Sequence, residues 1–245
     1  MVAAGTPAKP VMPTVETDWI CPGDTNAVAT QATAFILQVA ASTIQQHGEF
    51  RLVLAGGNTP RKIYRKLAQS PADWSHWHIY FGDERCLPVD DENRNSHMAN
   101  KVWLRHVDIP AQNIHPIPAE QGAEKAAAAY AMIIKHARPF DLVLLGMGED
   151  GHTASLFPGQ QHPDNETVHA IHHAPKPPPD RVSLSSASLG DTKEVLVLIT
   201  GTGKQPAVAR WQSGEALPIA MITAHHRVTI LLDTAASSPQ DIITN

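Results

Sequence analysis

The fold of this chain follows from residues 140–159, which read FDLVLLGMGEDGHTASLFPG. The stretch opens as a short apolar run, which indicates a buried strand of a parallel sheet. Three glycines then occur within six positions and allow a sharp turn with bare backbone close to a ligand. Open α/β sheets bind their ligands at such strand ends. The turn carries three groups that can hold or move protons, namely Glu149, Asp150 and His152.

The composition of the 245-residue chain is ordinary for a soluble globular protein. A net charge of −5 gives no general attraction to nucleic acid or anionic membranes, so we expect neither as a partner. No run approaches the roughly 20 apolar residues that span a bilayer, and no secretory signal is evident. The two cysteines, Cys21 and Cys86, cannot form a disulfide framework. We therefore expect a cytoplasmic protein.

Strands alternate with helices along the chain. This alternation predicts a three-layer α/β fold, with a mainly parallel, Rossmann-like sheet and helices on both faces. Besides the opening run, strands are predicted at residues 51–55, 78–81, 114–117, 181–184, 194–200, 219–222 and 227–232. Helices are predicted at residues 24–46, 60–69, 96–106, 120–137 and 204–211.

The chain is long enough for one large domain with a substantial core. We expect residues 1–14 to form a flexible leader and residues 15–245 to form a single α/β domain. Within it, residues 160–180 are predicted to be an irregular, proline-rich loop, because residues 175–179 read PKPPP. The protein is expected to be a monomer or a small homo-oligomer.

Three further strand ends carry glycines or charges. Residues 56–59 read GGNT and precede Pro60, an arrangement that points backbone N–H groups at an anion, although a Gly-Gly turn is a weak signal alone. Residues 83–85 place two carboxylates and an arginine after another strand. Residues 201–204 read GTGK, but Gln205 stands where a P-loop needs Ser or Thr, so the nucleotide motif fails.

Taken together, these motifs resemble those of the 6-phosphogluconolactonases, within the superfamily of sugar-phosphate isomerases and glucosamine-6-phosphate deaminases. The resemblance covers nearly the whole chain, and its long DGH-containing motif is the specific part. It is carried by LAGGNTP at residues 54–60, FGDER at 81–85, LGMGEDGHTASLFP at 145–158, RVSL at 181–184 and GTGK at 201–204. One departure is Arg94, which stands before Asn95 where the family commonly has serine.

The resemblance implies hydrolysis of 6-phospho-D-glucono-1,5-lactone to 6-phospho-D-gluconate, a step of the oxidative pentose phosphate pathway. This reaction needs an activated water, and His152 has the right pKa range to take its proton and return it to the ring oxygen. Asp83 is the first candidate for the carboxylate that orients His152, and Asp150 is the second. Backbone N–H groups of residues 146–151 are expected to stabilise the carbonyl oxygen.

The phosphate of such a substrate needs local cations and amides, since the chain as a whole is acidic. Arginine offers a planar fork to phosphate oxygens and lysine a point charge. We expect binding by Gly56, Gly57, Asn58, Thr59, Arg85, Arg181 and Lys204, with Arg181 the weakest candidate. No metal or other cofactor is expected, because His152 has no ligand partner at i+4 and no Cys/His cluster.

Two other interpretations remain open. A glucosamine-6-phosphate deaminase or related aldose–ketose isomerase shares the Gly-Gly-x-Thr-Pro and Asp-Gly-His turns. Arg85 after two acidic residues, and Glu149 before Asp150, favour the lactonase pattern. The second is a catalytically silent sugar-phosphate sensor, which would need the phosphate-binding residues but not His152. His152 is present, yet a protein can keep an intact site that it does not use.

Overall fold

The computed structural model describes residues 16–163 and 165–237, so the predicted leader lies outside the described residues. Within these ranges, nine strands and six α-helices are found. The strands are β1 (Glu16–Gly23), β2 (Phe50–Leu54), β3 (Trp77–Phe81), β4 (Asp83–Arg85), β5 (Phe140–Gly146), β6 (Val168–Ile171), β7 (Arg181–Leu184), β8 (Thr192–Ile199) and β9 (Arg227–Asp233). The α-helices are α1 (Thr25–His47), α2 (Asn58–Leu67), α3 (Asn95–Val102), α4 (Ala123–Ala137), α5 (Ser186–Gly190) and α6 (Gln205–Gln212).

The larger sheet has six strands in the order β1-β9-β8-β5-β2-β3, and every neighbouring pair is parallel. Its central strands β5 and β8 are almost entirely buried, as expected where helices cover both faces of a sheet. The predicted three-layer α/β architecture with a parallel sheet is therefore confirmed.

The direction in which the chain extends the sheet reverses between β2 and β5. From β2 the chain continues outward to β3, whereas from β5 it continues the other way to β8 and β9. Loops that leave such a pair of strands in opposite directions open a crevice at the carboxyl ends, which is where ligands bind in open α/β sheets. The topology thus predicts a ligand-binding site in the crevice at the carboxyl ends of β2 and β5.

Helix α1 covers part of this sheet. It begins after Asp24, whose carboxylate accepts from the amide of Ala27 at 2.8 Å, and ends at Gly48 in a left-handed conformation. By length and composition alone it could cross a membrane, which corrects the expectation that no run is long enough. In this fold its buried stripe packs on β1, β2, β5 and β9, and this packing accounts for its apolar side chains.

A second sheet of three antiparallel strands, in the order β4-β7-β6, stands beyond the end of β3. Gly82 is the single residue between β3 and β4, and its carbonyl accepts from the amide of Leu184 in β7 at 2.8 Å. The charged residues 83–85, expected in a loop, therefore form a strand with a fixed register.

Several local predictions were wrong. Residues 114–117 make one isolated bridge, Ile79–Ile114, within the described ranges. The predicted strand at 219–222 is a 3₁₀ turn, Pro218–Met221, because proline fixes φ and supplies no ladder N–H. The predicted irregular loop at 160–180 contains β6, which is mostly buried and packs against α4. Strand β1 was not predicted because this edge strand is only half-buried and its apolar pattern is weak.

Two buried tyrosines fix the strand ends that enter the crevice. The hydroxyl of Tyr64 donates to the carbonyl of Ala55 at 2.7 Å and accepts from the same residue's amide at 3.1 Å. The hydroxyl of Tyr130 makes the same pair of bonds to Phe81, at 3.2 and 2.9 Å. Burial strongly raises the pKa of both phenols, so they stay neutral and can donate.

Candidate active site

The crevice between β2 and β5 is a cleft of about 360 Å³. Its walls are the carboxyl ends of these strands, the Gly82 corner and the loop after β6. Seven of the ten predicted site residues line it, namely Gly56, Gly57, Asp83, Arg85, His152, Arg181 and Lys204. The other three, Asn58, Thr59 and Asp150, are not among the lining residues.

The imidazole of His152 is held from two sides. Its Nδ1 lies 2.5 Å from Oδ1 of Asp150, and the same carboxylate oxygen accepts from the backbone amide of His152 at 3.2 Å. The ring of Phe157 packs on the imidazole with centroids 4.7 Å apart. Because Nδ1 faces the carboxylate, Nε2 is the ring nitrogen left to act on a ligand.

The charge of this pair is set by its surroundings. Burial lowers the pKa of His152 below its usual value, although the hydrogen bond and charge of Asp150 act in the opposite direction. Burial alone would raise the pKa of Asp150, but the hydrogen bond and charge of His152 lower it on balance. At neutral pH the site therefore holds a carboxylate and a neutral imidazole, which is the form that accepts a proton.

Asp83 has other contacts, so the preference for it as the carboxylate on His152 was wrong. Its Oδ2 accepts from the hydroxyl of Ser155 at 2.6 Å, and its Oδ1 accepts from the side-chain amide of Asn95 at 2.9 Å. Ser155 and Asn95 are themselves buried. Asp83 thus ties the turn after β5 to the start of α3, at the floor of the cleft.

Two glycines are required because side chains of the site lie against them. A methyl group on Gly148 would lie 2.0 Å from Nδ1 of His152 and 2.5 Å from Oδ1 of Asp150. A methyl group on Gly56 would lie 2.0 Å from the side-chain oxygen of Asn95. Real Cβ atoms essentially never come this close. The glycines of the two signature turns therefore make room for the site's own side chains.

The turn after β5 uses some of its own amides. Gly148 N donates to the carbonyl of His152 at 2.8 Å, and Gly151 N donates to the carbonyl of Gly148 at 3.1 Å. These two N–H groups are therefore not aimed at a ligand. Of the amides of residues 146–151, which were expected to stabilise a developing oxyanion, those of Gly148 and Gly151 are thus already used within the turn.

The GGNT turn opens α2 at the edge of the cleft. Gly57 has a φ of 107°, a left-handed conformation that favours glycine. The Thr59 hydroxyl lies 2.6 Å from the hydroxyl of Thr200, so it links α2 to the end of β8. Gly56 and Gly57 line the cleft, whereas Thr59 is not among the lining residues.

Within the described ranges, four cationic side chains line the cleft: Arg85, Lys176, Arg181 and Lys204. The Arg85 guanidinium donates to the carbonyl of Asn93 and is held at the rim. Burial lowers the pKa of Lys204, and the neighbouring carboxylate of Glu149 partly offsets this decrease. The site is thus locally basic in a chain of net charge −5, as anion binding requires.

Arg181 was predicted to contact phosphate, but much of its guanidinium is used within the protein. Nε donates to the carbonyl of Pro178 at 3.0 Å, and Nη2 donates to the carbonyls of Lys176 and Pro177 at 2.9 and 3.0 Å. The guanidinium also lies 5.7 Å from the ring centroid of Phe157. These contacts hold the segment that carries Lys176, a lysine that the sequence reasoning did not select.

Arg94, the departure from the family pattern, is almost completely buried beside the cleft. Its guanidinium donates to the carbonyl of Ile117 at 2.8 Å and to the carboxylate of Glu120 at 2.9 Å. Its Nε lies 3.5 Å from Glu84, whose carboxylate accepts from the amides of residues 85, 95 and 96 and so caps α3. Arg94 therefore braces the loop after Arg85.

The thiol of Cys86 is not activated by the neighbouring arginine. Burial, followed by the charge of Asp180, raises its pKa to about 11. Among the described residues, no group of three or more His, Cys, Asp or Glu side chains is arranged to hold a metal ion.

The fold and the cleft define an α/β protein with a cationic site beside an imidazole–carboxylate pair. The chain belongs to the family of glucosamine-6-phosphate isomerases and 6-phosphogluconolactonase, whose profile matches residues 23–231. The resemblance noted in the sequence is thereby confirmed.

Similar proteins carry consistent names. The chain is 36% identical over 221 residues to a 6-phosphogluconolactonase of Mycobacterium leprae, covering 81% of this chain and 90% of that protein. It is also 36% identical over 240 residues to one of Streptomyces coelicolor, covering 88% and 91%. Among solved structures, a 6-phosphogluconolactonase of Thermotoga maritima superposes with a TM-score of 0.84 at 28% identity, covering 89% of this chain and 100% of that one.

A monomeric glucosamine-6-phosphate deaminase has the same fold. It superposes with a TM-score of 0.77 at 22% identity, covering 91% of this chain and 98% of that one. At this identity the likeness concerns architecture alone, so it does not decide between the two activities.

Proposed function

We propose that this chain hydrolyses 6-phospho-D-glucono-1,5-lactone to 6-phospho-D-gluconate. The observation that carries the proposal is the His152–Asp150 pair in a cleft lined by four cationic side chains. The names of four relatives, 6-phosphogluconolactonases at 32–37% identity, support the same reaction. The enzyme would act in the cytoplasm, in the oxidative pentose phosphate pathway.

His152 is the general base of the proposed reaction. Its neutral Nε2 takes a proton from a water molecule, and the water oxygen attacks the lactone carbonyl carbon. Asp150 accepts a hydrogen bond from Nδ1–H, which fixes the ring orientation and stabilises the imidazolium that forms when Nε2 takes the proton. When the tetrahedral intermediate collapses, the bond from this carbon to the ring oxygen breaks. The imidazolium then gives its proton to that oxygen.

The remaining residues position the substrate. The phosphate would be bound by Lys204, by the backbone at Gly56 and Gly57, and by Arg85, all of which line the cleft. Asp83 acts by holding the turn after β5 through Ser155. Burial lowers the pKa of Lys204 while Glu149 acts to raise it, and a phosphate dianion would act in the same direction as Glu149.

The experiment is to add purified protein to freshly generated 6-phosphogluconolactone and follow acid release. The proposal expects a rate well above that of spontaneous hydrolysis, and it fails if the two rates agree. Ammonia release from glucosamine 6-phosphate, measured in parallel, tests the deaminase alternative. Binding of 6-phosphogluconate without turnover of either substrate would indicate the silent sensor.

We also propose that residues 15–245 form a single catalytic domain, with the sugar-phosphate lactone as its small-molecule partner. Nucleic acid and membrane are not part of this proposal, and neither is a metal or other cofactor. The proposal includes a monomer or a small homo-oligomer.

A further inference from the structure

Lys176 lies in the proline-rich segment, residues 175–179, and lines the cleft. Its ammonium nitrogen is 4.0 Å from Oδ1 of Asp150, the carboxylate that bonds His152. The lysine therefore reaches the cleft from the loop between β6 and β7, on the side where Lys204 lies.

The loop that carries Lys176 is held in place by several contacts. Three consecutive carbonyls, from residues 176 to 178, accept hydrogen bonds from Arg181. The amide of Ala174 donates to the carbonyl of Pro179 at 2.9 Å and closes the loop on itself. The amide of Cys86 donates to the carbonyl of Asp180 at 3.0 Å and ties the loop to the end of β4. Such a loop positions a side chain at little further entropic cost.

The charges around Lys176 favour an anion of more than one charge. Lys176 and Lys204 line the same cleft, and both interact with the charge of Asp150. Lys176 acts to lower the pKa of Asp150, and Asp150 acts to raise the pKa of Lys204. Burial lowers the pKa of Lys204, and the positive charge of Lys176 lowers it further. Two ammonium groups that repel each other in the free protein are both stabilised when a dianion lies between them.

We propose that Lys176 is a second phosphate ligand, which together with Lys204 binds the dianionic phosphate of the sugar-phosphate substrate. The inference rests on the proposed function and deepens it, since it assigns one side of the cleft to the phosphate. Arg181 is then a positioning residue, because it holds the backbone of residues 176–178. The neutral Nε2 of His152 remains the only proton acceptor that the reaction requires.

The test compares Lys176→Met, which removes the charge but keeps most of the length, with Lys176→Arg, which keeps the charge. KM and kcat are measured with 6-phosphogluconolactone, and the Kd of 6-phosphogluconate is measured by calorimetry. Lys101→Met is the matched control, because Lys101 is also half-exposed and pairs with one carboxylate, Glu92, outside the cleft. Thermal unfolding of each variant establishes that the fold is intact.

For Lys176→Met we expect KM and Kd to rise about 10- to 100-fold, the loss typical of one charge-assisted hydrogen bond. We expect kcat to stay within about threefold of the wild type, since binding and not chemistry is lost. Lys176→Arg should recover most of the affinity. A lower kcat with unchanged KM and Kd overturns the proposal, because Lys176 would then act through Asp150 and His152. Unchanged KM and Kd in all variants also overturn it.

The two proposals fail separately. If the wild-type protein does not hydrolyse the lactone, the proposed function is wrong, but the Kd of 6-phosphogluconate still decides the role of Lys176. A weaker Kd in Lys176→Met alone then supports the phosphate role, and an unchanged Kd contradicts it.

Discussion

Nδ1 of His152 and Oδ1 of Asp150 are 2.5 Å apart, and the two residues belong to the same turn after β5. Asp83, whose carboxylate lines the cleft, accepts hydrogen bonds from Ser155 and Asn95 instead. The two carboxylates therefore have separate tasks. Asp150 orients the imidazole, and Asp83 braces the turn on which the imidazole stands.

Replacing Asp150 with asparagine should change the pH dependence of kcat/KM. Burial already lowers the pKa of His152, and Asp150 raises it through its hydrogen bond and charge, with a smaller contribution from Asp83. Without the Asp150 charge, and with Lys176 still lowering the pKa, His152 becomes neutral at a lower pH. The acid limb, which reports protonation of the base, therefore moves to lower pH while the plateau rate falls about 10-fold or more.

The matched control for that change is Asp180→Asn, which removes a carboxylate that bonds the exposed His172. It should leave the acid limb of kcat/KM in place. An acid limb that stays unmoved, or moves to higher pH, in Asp150→Asn would show that Asp150 does not set the charge of the base.

Adding a methyl group at Gly148 should disable the site without unfolding the protein. The new Cβ would lie 2.0 Å from Nδ1 of His152, so the imidazole or the turn must move. Since a misplacement of about 1 Å can cost roughly 100-fold in rate, we expect a loss of that order in kcat. Gly214→Ala is the comparison, because its methyl group meets nothing within 4 Å and Gly214 does not line the cleft. Its left-handed φ of 87° should lower stability but leave kcat nearly unchanged. Equal losses in the two variants would contradict this account.

The signature turns could be predicted from the sequence because each depends on local chemistry. An apolar strand, a glycine turn and a polar strand end are all visible within about ten residues, and parallel strands place such ends together. This reasoning found Gly56, Asp83, Arg85 and Lys204, which the fold brings to one cleft. The order of the motifs also carried the family resemblance.

The site predictions that were wrong or incomplete concern the carboxylate partner of His152 and the cationic residues of the cleft. Both depend on contacts between distant parts of the chain. Asp83 and Asp150 are both plausible partners of His152, and only the fold shows that Asp83 is taken up by Ser155 and Asn95. The sequence does not single out Lys176, because a proline-rich segment is typical of a solvated loop. The segment faces the cleft because Arg181, five residues later, bonds its carbonyls.

Arg181→Lys should loosen the loop of Lys176 and lower stability. A lysine cannot reproduce the guanidinium fork, so the carbonyls of residues 176–178 lose the charged donor that ties them together. We expect a loss of about 2 kcal/mol in the free energy of unfolding by urea, together with a higher KM. Arg227→Lys, at a half-exposed pair with Glu16, should change stability little. If Arg181→Lys and Arg227→Lys were equally stable, Arg181 would not be a positioning residue for the loop of Lys176.

Glu84→Gln should destabilise the loop after Arg85. The fully buried carboxylate accepts hydrogen bonds from three backbone amides, and Nε of the buried Arg94 lies 3.5 Å from it. Glutamine keeps the shape but loses the charge and one acceptor, so we expect about 3 kcal/mol less stability in urea denaturation. Glu92→Gln, on the exposed partner of Lys101, is the control and should behave like the wild type. A stable Glu84→Gln protein would show that this buried network is not needed.

The most direct test of the central claim is the turnover of 6-phosphogluconolactone by His152→Gln beside that of the wild type. His76→Gln, at an exposed histidine bonded to the Gly48 carbonyl, serves as the control. If His152 is the base, kcat falls about 100- to 10,000-fold, while the Kd of 6-phosphogluconate and the thermal stability stay near those of the wild type. A kcat in His152→Gln equal to that of the wild type would contradict the account.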